Sequence, residues 1–220
     1  LGKKVYVFLN GGAAIPAYYL ASVADQIVMP PMGAIHQLGI QFEVVKWSGL
    51  MNTFGFRYHT IHSGQHKMAT SPFSQALSPS QAQQIRGSLD DIMAYLRSMI
   101  QSSRSLSLAN DPIFDGRIVS SEHALRLGLI DAIGFWSDMP TRIQKDMGHD
   151  VVLASMASYA KEPQADYLWS PFNKIAVVEI NGAIMQGKNS HNMLFGGVQS
   201  GSDEISRIFY QLSKDPFLKG

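Results

Sequence analysis

The sequence of 220 residues predicts an α/β domain with substantially parallel strand pairing, on three observations. Short apolar runs of β-formers recur along the chain, stretches of helical spacing separate them, and turns bearing glycine or proline lie between. Hydrophobic residues make up 45% and charged residues 16%, against about 25% charged in typical soluble domains, which provides for a sizeable core and for interface surface.

Val5-Tyr6-Val7-Phe8-Leu9 reads as a buried strand running into the turn Asn10-Gly11-Gly12. A helix should follow, with Pro16 in its first turn and Ala17, Tyr18, Leu20, Ala21 and Ala24 allowing close approach to a sheet. Next come a strand over 26–29, a Pro-Pro-Met-Gly turn over 30–33, helical register over 42–54 and strand character over 56–61. Ser78-Pro79-Ser80-Gln81 has the capping-box pattern. It precedes Ile85, Leu89, Ile92, Leu96 and Met99 at spacings of four and three, which predicts a helix. A shorter helix should start near Ser121 and stop before Gly128, followed by a strand over 129–133 and an amphipathic helix over 136–147.

From about Asp150 the pattern changes. Residues 151–156 are apolar, and 160–173 carry two prolines with scattered charges and read as a linker. A new strand pattern starts at Ile175 and continues through 181–185, and Ser202-Asp203-Glu204-Ile205 opens a helix with Ile208, Phe209 and Leu212 on one face. The expected organisation is one domain over 1–159, a linker over 160–173, and the start of a second domain over 174–220. A chain that opens on Leu1-Gly2-Lys3 and closes on Phe217-Leu218-Lys219-Gly220 reads as a piece of something longer. No window approaches the roughly 18 apolar residues of a membrane-spanning helix, so any anchor is expected elsewhere.

Lys and Arg number 18 against 17 Asp and Glu, a formal charge of +1 that gives no global attraction for phosphate backbones; no nucleic-acid partner is expected. The absence of cysteine excludes a thiol nucleophile, disulfides and thiolate metal sites. No cofactor or metal is expected. His59, His62 and His66 cluster in sequence, but on the predicted strand a separation of three puts His59 and His62 on opposite faces, which does not suit a metal. Asn10-Gly11-Gly12 lacks the later glycines and the Lys-Ser/Thr of a phosphate-binding loop and reads as a turn. Tyr18 and Tyr19 read as core packing, and Arg117 with Asp131 could form a buried ion pair or stand as separate solvated charges.

Lys67 is the candidate for chemistry. It lies between a predicted strand end and the capped helix, and over residues 1–70 the only acids are Asp25 and Glu43. In an apolar pocket such a lysine releases its proton more readily and can act as a general base; on an open loop it is a solvated charge.

Several motifs in order carry a resemblance. Ala13-Ala14-Ile15-Pro16-Ala17-Tyr18-Tyr19-Leu20-Ala21-Ser22-Val23-Ala24-Asp25 is followed by Pro31-Met32-Gly33, and then by Ser63-Gly64-x-x-Lys67-x-Ala69-x-Ser71-Pro72-Phe73. Gly116-Arg117-Ile118-Val119 and Ala124-Leu125-x-x-Gly128-Leu129-Ile130-Asp131-x-x-Gly134 complete the set. Together they resemble the signal peptide peptidase A, or protease IV, family, in its long two-domain bacterial form. The resemblance implies a Clp protease and crotonase type of fold, built from β-α-β superhelical units. It also implies a Ser/Lys dyad peptidase at the extracytoplasmic side of the bacterial inner membrane. Hydrophobic remnants of cleaved signal peptides would be its substrates, and a membrane-anchored homo-oligomer its assembly.

Lys67 matches that family's general-base lysine. Ile15 stands where short members of the family carry the nucleophilic serine, so the resemblance puts the serine in the second domain, beyond Gly220, and this chain alone is expected to be inactive. A crotonase-like acyl-CoA enzyme is the alternative, although the Gly-rich turns lack a nearby carboxylate for its acid-base step. A non-catalytic assembly domain is the other. Ser71 could orient Lys67 or simply end the loop ahead of Pro72.

Overall fold

The computed structural model describes residues 3–104, 106, 113–155, 174–191, 198–214 and 218. Its centre is strand β3 (Gln26–Met29), apolar from Ile27 onward, with β1 (Tyr6–Phe8) on one side and β6 (Ala132–Ile133) on the other, all parallel. The return from β1 to β3 runs through β2 (Gly12–Ala13) and helix α1 (Ile15–Ala21), the crossover that parallel neighbours require. Successive side chains of β3 point to opposite faces, and both faces are covered. Ile27 and Met29 pack on one side with Tyr18 and Ala21 of α1 and with Ala124 and Leu127 of α4 (Ser121–Leu127). Val28 packs on the other with Met139 and Ile143 of α5 (Met139–Met147), and with Val151 and Ile175.

A second sheet of β2, β4 (Ala34–Ile35) and β5 (Val119–Ser120) joins the crossover to the segment before α4. Gly12 is needed there, because a Cβ would stand 2.6 Å from the carbonyl oxygen of Ala34. Helix α4 begins at Ser120, whose hydroxyl accepts from the amide of His123, and ends at Gly128 in the left-handed conformation, as read from the sequence. The capping box at Ser78 is also present and starts α3 (Pro79–Ser103), which reaches the core through the buried Ile100.

The apolar residues of 42–61 behave differently from expectation. Only α2 (Ser48–Thr53) is helical, and 56–61 form no strand. Phe42, Val45, Trp47, Leu50, Phe54, Phe56, Tyr58 and Ile61 are all exposed, with no neighbouring strand to complete a ladder. The strand expected over 129–133 is confined to β6, and the segment from 136 starts as a 3-10 turn (Trp136–Asp138) before α5.

Strand β7 (Val152–Ser155) pairs in parallel with β8 (Lys174–Val177). The strand expected to continue through 181–185 is instead interrupted. After β8, β9 (Ala183–Met185) lies in another sheet, parallel to β11 (Val198–Gly201), with β10 (Ser190–His191) antiparallel on the far edge. Helix α6 (Ser202–Lys214) follows, with Ile205 and Leu212 buried and an acidic first turn. The linker expected over 160–173 lies outside the described residues.

Lys4 and Tyr6 tie β1 to α5 by donating to Asp146, at 2.7 and 2.5 Å. The bonds from Lys4 and then Tyr6 hold the Asp146 carboxyl below its ordinary value of 3.8. A carboxyl lowered on folding adds stability above the unfolded value and loses it as pH falls through the folded one. The melting-temperature gap between the native protein and Asp146→Asn should therefore be widest above about pH 5 and close on acidification. A constant gap from neutral pH down to full protonation would show that this tie does not contribute.

Candidate active site

Lys67 sits on a run of tight turns between Gly64 and Ser74. Its amide donates to Gly64 O at 3.2 Å, the Ala69 amide to His66 O at 3.0 Å, and the Ser71 amide to Met68 O at 3.1 Å. The Lys67 side chain is exposed, whereas Ala69 two residues on is buried. The apolar pocket that would turn Lys67 into a base is therefore not formed around it by the described residues of this chain. Ser71 turns back on its own loop, its Oγ accepting from the Phe73 amide at 3.3 Å.

The loop is anchored from outside by Lys46, which no sequence motif marks. Its ammonium donates to Ala69 O at 2.7 Å, to Ser71 O at 2.9 Å and to Ser74 Oγ at 2.7 Å. Beside it the Trp47 amide donates to Pro72 O at 2.6 Å, and the rings of Tyr58 and Phe73 lie 4.9 Å apart. A signal was available: residues 1–70 hold four lysines and only two acids, so some of those ammonium groups must give their protons to neutral oxygens or water.

The apolar side chains of 42–61 lead into this loop. Part of them, Phe42 and Val44 with Ile40, form an open groove of about 690 Å³ against Ile85 and Leu89 of α3, rimmed by Arg86 and Asp90. The groove is lined by apolar and charged side chains alike, Asp115 among them.

The other sequence candidates separate from the site. His59, His62 and His66 are exposed, and His62 Nδ1 lies 3.2 Å from Gly64 O; among the described residues no group of three potential ligands could hold a metal. The predicted strand that would have carried the histidines is absent. Ile15 begins α1 half-buried against the main core, a packing role. Tyr18 is fully buried and donates to Leu129 O at 2.7 Å, and burial pushes its phenol upward. The possible Arg117–Asp131 pair is not formed. Arg117 pairs with Asp115 at 2.8 Å, while Asp131 accepts from Arg104 at 2.6 Å and from the Ile27 amide at 2.7 Å.

Residues 1–150 match the model of a peptidase family described as Peptidase family S49. The chain belongs to peptidase family S49. As an S49 member it is similar to a putative protease, MJ0651, of Methanocaldococcus jannaschii, 26% identical over 65% of this chain and 46% of that one. Protease 4 of Salmonella typhi is 22% identical over 94% of this chain and 37% of its own. A Brucella abortus protein named Na(+)/H(+) antiporter NhaA is 27% identical over 69% of this chain, but over only 20% of its own length. The chain thus spans between a fifth and a half of these relatives. The likeness to protease IV read from the ordered motifs is borne out, and the S49 match favours a peptidase over an acyl-CoA enzyme. No described helix is long and apolar enough to cross a membrane.

Proposed function

We propose that this S49 chain supplies the general base of a Ser/Lys peptidase, with Lys67 as the base and a serine outside the 220 residues as the nucleophile. The observation that carries the reading is Lys67 itself, held at the head of an anchored loop within the stretch matching the peptidase family. Ile15 supports the second half, because its hydrocarbon side chain packs on the core and offers no nucleophile.

In the reaction so written, the unprotonated Lys67 amine takes the proton of the serine hydroxyl as its oxygen attacks the peptide carbonyl carbon. The tetrahedral intermediate collapses with cleavage of the C–N bond, and the lysine ammonium returns the proton to the leaving amine. Water, deprotonated by the same amine, then attacks the acyl ester and releases the carboxylic acid and the free serine. Desolvation favours the unprotonated amine. Lys67 is exposed in this chain, so in this reading the element bringing the serine also encloses the lysine.

The exposed apolar stretch supports hydrophobic peptides as substrates, and remnants of cleaved signal peptides are such peptides. With them goes the rest of the reading. The superhelical β-α-β fold is proposed for a domain over 1–159 and a second domain opening at 174–220. The assembly is a membrane-anchored homo-oligomer on the extracytoplasmic side of the inner membrane. The test is Lys67→Ala in the protein that carries the serine region, read by hydrolysis of an apolar peptide. Retained hydrolysis removes Lys67 from the mechanism.

A further inference from the structure

We infer that Lys46 is a positioning residue for Lys67, fixing the loop that presents it; this rests on Lys67 being the base. An ammonium has three protons, and all three are committed: to Ala69 O, Ser71 O and Ser74 Oγ, at 2.7 to 2.9 Å. None of these partners is a carboxylate. All belong to a single loop, 23 to 28 residues further along the chain.

The arrangement continues toward the base. Ser74 Oγ, which accepts from Lys46, also lies 2.8 Å from Met68 O as a donor, and Met68 follows Lys67 directly. Lys46 itself is half-buried, and the adjacent Trp47 amide grips Pro72 O. The segment 46–47 therefore clamps the loop at residues 69, 71, 72 and 74 while leaving the Lys67 side chain free to meet a partner. A flexible exposed lysine arm gains catalytic value from a fixed base, because misplacing a proton acceptor by about 1 Å can cost about 100-fold in rate.

The test uses the absence of cysteine from these 220 residues. In the protein carrying the serine region, Lys46→Met and Lys46→Cys should each lower kcat by about 100-fold, with KM for an apolar peptide changed by less than about threefold. Treating Lys46→Cys with 2-bromoethylamine, whose bromide the thiolate displaces, rebuilds an ammonium of nearly lysine length. It should restore most of kcat, with identically treated native protein as the control. A merely structural lysine would lower folded yield or melting temperature and leave kcat per folded molecule unchanged; that result, or failure of the rescue, overturns the inference. If Lys46→Met does not fold, Ser74→Ala removes one acceptor and the bond to Met68 and should lower kcat by about five- to tenfold; full activity overturns it. Lys67→Ala is measured in parallel. If it keeps its activity, the base assignment fails and the role of Lys46 fails with it. If it is inactive while Lys46→Met has native kcat, the inference about Lys46 alone fails.

Discussion

Lys67→Ala should lower kcat/KM for an apolar peptide by about 100- to 10,000-fold while the melting temperature stays within about a degree of the native value. The rate figure is the usual contribution of a positioned general base. The stability figure follows from exposure: Lys67 is exposed, and its backbone, not its side chain, makes the hydrogen bond at Gly64 O. Lys67→Arg should be equally inactive, since a guanidinium stays protonated and cannot accept the serine proton. The pairing of these variants separates chemistry from folding. If alanine and arginine variants keep more than about a third of native activity, Lys67 is a solvated loop charge and the mechanism needs another base.

The second large effect is on folding. Arg104→Ala should destabilise the protein by about 2–3 kcal/mol, measured by urea unfolding. The Arg104 side chain is 8% exposed and bridges the end of α3 to Asp131, with longer contacts at 3.4 Å to Ala24 O and Gly128 O. Its removal strands a carboxylate beside the buried strand β3. Asp131 is 34% exposed and keeps the Ile27 amide, so water offsets part of the loss and the cost falls below that of a fully buried pair. Arg117→Ala, at an exposed and solvent-screened pair with Asp115, should cost clearly less than Arg104→Ala. Equal effects from the two arginines would refute the buried tie.

Signals that are local were legible in the sequence. Ser78 and Gln81 define a cap within four residues, Gly128 stops a helix by its own backbone freedom, and 27–29 is apolar on both faces because both are covered. Signals that depend on a neighbour were not. The periodicity of 42–61 counts apolar residues without knowing whether anything covers them, and here the described residues leave them exposed. The sequence leaves open whether Asp131 pairs with Arg117 or stands solvated, whereas the fold brings Arg104 to it across 27 positions. The site divides in the same way. Lys67 was found through a motif that spans eleven residues, whereas Lys46 became visible only once its three acceptors converged in space.

Labelling with a serine-reactive fluorophosphonate reads out directly whether Lys67 activates a serine elsewhere in the protein. In the protein carrying the serine region, one serine outside residues 1–220 should be phosphonylated, about 100-fold or more slowly in Lys67→Ala. Labelling of a serine within these 220 residues, or labelling that proceeds at the native rate without Lys67, would contradict it.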